Sequence, residues 1–378
     1  MSDKAADARF MARALELAQH GLYTTHPNPR VGCVLVKNGE IVGEAWHERA
    51  GEPHAEVLAL RAAGEQAKGA TAYVTLEPCC HQGRTGPCTD ALIKAGVTRV
   101  IAAMQDPNPK VAGGGLATLR DTGIGVESGL MQAQAESLNR GFISRMRRQR
   151  PWVRLKLAMS LDGRTAAANG ESRWITGELA REDVHRLRAE CGAVLTSSAT
   201  VLADDPSLTV RSFSLPPPGG EGLGKGGVLI RQPDRIVLDA RLRVPASAKV
   251  WAPGARRFVL TSDPDKSGSH GPEVQTLRIA AQAGRLDLRQ ALATLAAFEI
   301  NEILVECGPR LAGALLQAKL VDELTIYVAP ILLGDKAPGL AHLPDVQSLA
   351  QQLAFQVTDV RAFGSDWRII ATPRTQSV

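Results

Sequence analysis

The residues best suited to chemistry stand in two short stretches. His54-Ala55-Glu56 is followed by Glu77-Pro78-Cys79-Cys80-His81-Gln82-Gly83-Arg84-Thr85-Gly86-Pro87-Cys88. One imidazole and two thiolates are a reasonable ligand set for Zn²⁺. Three protein ligands leave a fourth position for water, which is the catalytic rather than the structural pattern. Zinc lowers the pKa of such a water toward neutrality. Glu56 lies two residues from His54 at the expected start of a helix. From there its carboxylate reaches the water without ligating the metal and can pass the proton to a ring nitrogen or a leaving amine. Spacing alone leaves the third ligand open. Cys88 comes nine residues after Cys79. Cys80 is closer, but adjacent cysteines rarely converge on one tetrahedral ion, and His81 would give two histidines and one cysteine. The plain alternative, small buried cysteines and a core histidine, is disfavoured by three such elements in order.

These residues need a scaffold, and the pattern supplies one. Ala8 to His20 reads as an amphipathic helix ended by Gly21. Val31–Val36 and Ile41–Trp46 read as strands joined by the hairpin signal Asn38-Gly39. Pro53-His54-Ala55-Glu56 opens a helix to about Ala63. Ala72–Leu76 and Val100–Ala103 are further strands, with a helix core at Asp90–Ala95 between them. Alternating strands and helices imply an α/β sandwich. A charged stretch, Arg145 to Pro151, then precedes a fresh strand from Trp152 to Leu157, which sets the domain limits at 1–147 and 148–378. The second part carries strand patterns at Ala193–Thr196, Arg235–Leu238, Phe258–Leu260, Ile303–Val305, Leu324–Val328 and Trp367–Ala371. Helices are expected at Gly177–Glu190, Leu286–Ala297 and Ala312–Ala318, and a Pro/Gly-rich surface loop at 216–227.

Composition narrows the function classes. The chain has 378 residues, 44% hydrophobic and 22% charged, which excludes wholesale disorder and a collagen-like fibre. No apolar run approaches a membrane span. The acidic N-terminus has no signal core, and six cysteines are too few for a disulfide scaffold. A cytoplasmic enzyme is therefore expected. The net charge of +5 does not make a nucleic-acid platform. It divides as +3 over residues 1–150 and +2 over 151–378, and five arginines between Arg140 and Arg150 account for the first share. Aromatics, at 4%, leave little for base stacking. The arginine cluster reads as a solvated connector, and no nucleic-acid or membrane partner is expected.

His-x-Glu followed by Pro-Cys is the signature of zinc-dependent nucleobase deaminases, although Gln82 stands where their second cysteine usually falls. The longer stretches Thr25-His26-Pro27-Asn28-Pro29-Arg30-Val31-Gly32-Cys33, Ala50 to Glu56, Glu77 to Cys88 and Gln105 to Gly113 resemble the bifunctional deaminase/reductase family of riboflavin biosynthesis. That family uses the long cysteine spacing. The resemblance implies a cytidine-deaminase-like three-layer α/β/α domain, zinc on His54, Cys79 and Cys88, and Glu56 as proton shuttle. It also implies that Asn28, His47, His81 and Arg84 surround a pyrimidine and its phosphoribosyl tail. Cys80 and Gly86 depart from residues common in the family, and neither is an implied ligand.

The second half resembles the same family's reductase domain, which is similar to dihydrofolate reductase. The matching stretches are Lys156 to Ala166, Gly170 to Thr176, Thr196 to Pro206 with Thr209-Val210-Arg211, and Val305 to Gly313. Gly-x-Gly-x-x-Gly is absent, so a dinucleotide must be held in another way. Glu306-Cys307-Gly308-Pro309 sits where a strand gives way to a helix, whose exposed N–H groups suit a pyrophosphate. The resemblance implies that Ala158, Trp174, Thr200, Asp204 and Gly308 contact NADPH. It implies that Ser172, Arg188, Leu208, Arg211 and Glu306 lie near the substrate, the two arginines being able to clamp a phosphate. Lys156, Asp204 and Glu306 are the candidates for proton handling. The implied sequence is hydrolytic deamination of 2,5-diamino-6-(5-phosphoribosylamino)pyrimidin-4-one, then reduction of its ribosyl group to ribityl, by a family often dimeric through the reductase domain. The rival reading is a nucleic-acid base deaminase, holding phosphates on the Arg140–Arg150 cluster, fused to an unrelated reductase.

Overall fold

The computed structural model describes residues 4–81, 86–109, 111–211, 231–263, 270–271 and 273–374. Arg84 and the Pro/Gly-rich stretch 216–227 lie outside them. The chain forms two compact units that part between Gln149 and Arg150.

In the first unit, α1 (Lys4–Gln19) leads to β1 (Gly32–Lys37) and β2 (Glu40–Trp46). Asn38 and Gly39, both at positive φ, make the tight turn between the strands. Then follow α2 (Ala55–Ala63), β3 (Thr71–Val74), α3 (Cys88–Lys94), β4 (Arg99–Ala102), α4 (Gly114–Asp121), β5 (Gly125–Ser128), α5 (Gln132–Leu138) and α6 (Arg140–Arg148). The sheet order is β2-β1-β3-β4-β5, antiparallel across β2, β1 and β3 and parallel from β3 to β5. Strand alternation divides the core. Val34 and Val36 of β1 face α1, α5 and α6, while Cys33 and Leu35 face α2, α3 and α4. The result is three layers, α/β/α.

The arginine cluster departs from the solvated connector. Arg140–Arg148 is the helix α6, with Gly141, Phe142 and Ser144 buried. Arg148 donates to Ser144 Oγ at 2.6 Å, and Arg150 grips Asp322 in the second unit's own fold with two bonds of 2.7 and 2.8 Å. One buried aromatic among many arginines is enough to dock a helix whose other face is charged.

The second unit comprises β6 (Trp152–Ser160), α7 (Glu178–Glu190), β7 (Ala193–Ser197), α8 (Ser198–Asp204), β8 (Asp234–Leu238), β9 (Arg257–Thr261), β10 (Val274–Arg278), a short ribbon of β11 (Ala281–Gln282) and β12 (Arg285–Leu286), α9 (Leu288–Ala297), β13 (Glu302–Glu306), α10 (Pro309–Gln317), β14 (Glu323–Ala329), β15 (Phe355–Phe363) and β16 (Asp366–Pro373). Its nine-stranded sheet runs β10-β9-β8-β7-β13-β6-β14-β16-β15. The strands are parallel from β10 to β14, and β16 and β15 pair antiparallel at the edge. Alternation again sorts the side chains. Val153, Leu155, Ile303 and Val305 pack with α9 and α10. Val194, Leu304 and Tyr327 pack with α7 and α8.

Candidate active sites

The loop after β3 and the starts of α2 and α3 converge in the first unit. His54 is the residue before α2, Cys88 opens α3, and Cys79 follows β3. Their ligand atoms all lie within 4.8 Å of one another. His54 Nδ1 stands 3.2 Å from Cys88 Sγ and 3.6 Å from Cys79 Sγ. Among the described residues no other His, Cys or carboxylate joins the cluster. His81 is exposed, and Cys80 lies beside Gly114, whose added Cβ would stand 3.0 Å from its sulfur. Nine residues apart in sequence, the two cysteines meet in space, the Cys79 sulfur accepting the Cys88 backbone N–H at 3.4 Å.

The electrostatics suit a cation. Hydrogen bonds from Cys88 and His54 to the Cys79 sulfur outweigh burial and draw its pKa down to about 4. Cys88 holds its own proton more tightly, beside the Cys79 sulfur and buried near Glu56. The His54 ring is pushed up, chiefly by its bond to Cys79. Burial raises the Glu56 carboxyl, with Cys79 adding and His54 opposing. This donor set, two sulfurs and one imidazole nitrogen crowded about a point, fits Zn²⁺. His47 is buried beside it, its ring edge-on to His54 at 5.4 Å. His47 donates to Pro53 O at 3.1 Å and accepts from Asn28 at 3.0 Å, which fixes its tautomer. Asn28 and His47 thus stand beside the cluster without belonging to it, whereas His81 is exposed.

In the second unit the strand register builds the site. Lys156 of β6 is paired with Glu306 of β13, and Ala158 with Tyr327 of β14, all on the α7 face. Arg188 of α7 grips the Glu306 carboxylate through two bonds of 2.5 and 2.9 Å and donates to Thr209 O at 2.9 Å. Burial acts to raise Glu306, but Arg188 and Lys156 outweigh it and hold the carboxyl below its usual value. Burial lowers Lys156, whose ammonium lies 5.7 Å from the Tyr327 ring centre. The Tyr327 hydroxyl donates to Asp183 of α7 at 2.6 Å. Arg211 donates to His185, also on α7, at 3.2 Å. The two arginines therefore differ from a free phosphate clamp: Arg188 is tied to a carboxylate, and Arg211, exposed, is the one presented outward.

Of the residues expected to hold a dinucleotide, Thr200 and Asp204 lie on α8, Gly308 precedes α10, and Ala158 lies on β6. Ser197 caps α8 by accepting the Thr200 N–H. Ser172 donates to Asp204 at 3.4 Å, and Arg173 donates to the Asp204 carbonyl. Trp174 is 66% exposed, under the Arg181 guanidinium at 4.7 Å. Gly308 precedes α10 with Pro309 as its first residue, and nothing lies within 4 Å of a Cβ built on Gly308. An open strand-end helix start with an exposed indole fits a dinucleotide. Leu208 is buried, with φ +52°. Gly313 serves packing, since a Cβ there would stand 1.9 Å from His342 O.

Two residues to which the motifs gave no role shape these sites. Glu77 accepts four backbone N–H groups beside Cys79. Tyr327 spans Lys156 and α7. Neither role is local in sequence.

A deaminase-like α/β/α unit with a His-Cys-Cys cluster, joined to a reductase unit with a mostly parallel sheet, defines a deaminase–reductase of two active sites. Residues 4–104 match the cytidine and deoxycytidylate deaminase zinc-binding region, and residues 151–369 match the RibD C-terminal domain. The chain is 57% identical to the riboflavin biosynthesis protein RibD of Escherichia coli, over 95% of this chain and 97% of that one. The Acinetobacter baumannii RibD structure superposes with a TM-score of 0.89 at 45% identity, covering 99% of this chain and all of that one. The Thermotoga maritima diaminohydroxyphosphoribosylaminopyrimidine deaminase/5-amino-6-(5-phosphoribosylamino)uracil reductase gives 0.85 at 31%, with 99% of this chain and 100% of that one covered. The chain belongs to the RibD family of bifunctional enzymes of riboflavin biosynthesis. The rival reading falls away, because both halves match one bifunctional family along nearly the whole chain.

Proposed function

We propose that the first unit deaminates 2,5-diamino-6-(5-phosphoribosylamino)pyrimidin-4-one and that the second reduces the ribosyl group of the product to ribityl with NADPH. The observation that carries the first step is the convergence of His54, Cys79 and Cys88 beside the buried Glu56. Zinc on those three residues supplies an acidified water. Glu56, its carboxyl raised by burial, takes a proton at its carboxylate and returns it to the ring nitrogen or the departing amine. Asn28 and His47 orient the pyrimidine, and His81 and Arg84 serve its phosphoribosyl end.

In the second unit Gly308, Thr200, Asp204, Ala158 and Trp174 hold NADPH, which supplies hydride to C1′ of the ribose. Ser172, Leu208 and Arg211 seat the substrate, with Arg211 on its phosphate. Glu306 stays ionised under Arg188 and stabilises positive charge at the opening ribosylamine. Lys156 and Asp204 handle the proton. The enzyme works in the cytoplasm as a homodimer, on small molecules, with the first domain ending at the close of α6 rather than at 147. Among the described residues no helix is long and apolar enough to cross a membrane.

The test supplies the diaminopyrimidinone ribosyl phosphate and follows ammonia release, then NADPH oxidation. Purified chain is expected to carry about one zinc. Ammonia release without dependence on zinc, or NADPH oxidation that ignores the deaminated product, would defeat the assignment.

A further inference from the structure

Glu77 is buried in the irregular segment between β3 and Cys79. Its Oε1 accepts the N–H groups of Gly115 and Leu116 at 2.9 and 3.1 Å. Its Oε2 accepts those of Asp106 and Gly113 at 3.0 and 2.9 Å. Its own N–H donates to Met104 O at 3.0 Å. One carboxylate therefore gathers the loop after β4 and the first turn of α4, including N–H groups that the helix leaves unpaired. The approach is close. A Cβ on Gly115 would stand 1.9 Å from the carbonyl oxygen of Pro78. Pro78 is the residue before Cys79, so the start of α4 presses directly on the backbone that aims the Cys79 sulfur.

We propose that Glu77 is a positioning residue for the metal: it locks Asp106, Gly113 and the first turn of α4 against Pro78 and so presets Cys79 for the ion it shares with His54 and Cys88. This rests on those three residues being the zinc ligands. A charged acceptor with two oxygens is required, because four N–H groups point at it. An amide in its place puts an NH₂ against two donors, and the loop must open to relieve the clash. Partners that orient ligands in this way typically govern metal affinity by about 10- to 100-fold.

The experiment uses the full chain stripped of metal. Zinc affinity is measured by chelator competition for the unsubstituted chain and for Glu77→Gln, which keeps the volume. The cobalt(II) form of each gives the thiolate charge-transfer absorption, which reports ligand geometry rather than stability. The expected result is a 10- to 100-fold loss of zinc affinity with an altered cobalt spectrum, while NADPH oxidation by the second unit is kept. Affinity within about twofold and an unchanged spectrum would overturn the proposal. A second measurement needs no variant. Coupling is reciprocal, so zinc must slow hydrogen exchange at the N–H groups of Asp106, Gly113, Gly115 and Leu116 in the unsubstituted chain. Equal exchange with and without zinc would overturn the proposal even if Glu77→Gln fails to fold. Failure of the unsubstituted chain to bind zinc, or undiminished binding by Cys79→Ser, would instead remove the ligand assignment beneath it.

Discussion

His185 offers a pH test of the reductase site. It stands on α7 one turn before Arg188, with its ring accepting from Arg211. Burial lowers its pKa, and the charges of Arg188 and Arg211 lower it further, to about 4, against the pull of Glu306. In the unfolded chain a histidine titrates near 6.5. Between these values the unfolded chain holds the proton and the folded unit does not. The second unit therefore has this share of its stability in full above about pH 6.5 and loses it as pH falls toward 4. The whole window corresponds to at most about 3 kcal/mol, because the half-buried ring and the exposed Arg211 are partly screened by water, and a fall from about pH 7.5 to about pH 5 covers at most about 2 kcal/mol of it. In a unit of this size that is at most about 4 to 8 °C of Tm. His185→Gln keeps an acceptor for Arg211 and removes the titration. Calorimetry of both chains at the two pH values is expected to show the unsubstituted second unit losing up to that much more than the variant. Parallel losses in the two chains would refute a suppressed charge at His185.

Three further outcomes are expected. Glu56→Gln lowers deamination by about 10² to 10⁴ while zinc content and NADPH oxidation persist, as ammonia, metal and absorbance assays would show. Tyr327→Phe leaves the buried Asp183 without one donor and costs about 1–3 kcal/mol in denaturant unfolding of the second unit; equal midpoints would mean that Arg186 and Arg368 suffice for Asp183. Gly32→Ala sets a Cβ 2.0 Å from Ala14 O, so α1 must move. It should cost the first unit about 1–3 kcal/mol or more by overpacking, read as a lowered Tm beside an unchanged reductase.

The strands and helices with strong apolar periods were legible. Val31–Val36, Asn38-Gly39 and the core strands of the second unit all stand where their patterns place them. The elements that escaped have weak local signals. In the seven-residue α8, Val201 is its one buried large apolar residue. The edge strand β15 alternates poorly, with Val357 and Val360 exposed. The helix α6 looked like solvated charge because its few apolar residues were outnumbered by arginines. Of the sites, His54 and Cys79 were legible through motif order, and Cys88 only through the family resemblance, its spacing alone leaving Cys80 and His81 open. The role of Glu77 was not legible, because its partners lie 29 to 39 residues away. The Arg188–Glu306 grip likewise spans 118 residues, and no spacing rule announces such a pair.

The division at Gln149 and Arg150 has a genetic meaning. Each unit closes its own core and carries its own cluster of reactive groups. Lesions therefore sort into two classes, those that silence the first site and those that silence the second. A cell holding one copy with Glu56 replaced and another with Glu306 replaced still possesses one intact version of each site. On the roles proposed for Glu56 and Glu306, such alleles are expected to complement one another within a single gene, whereas two lesions in the same unit are not.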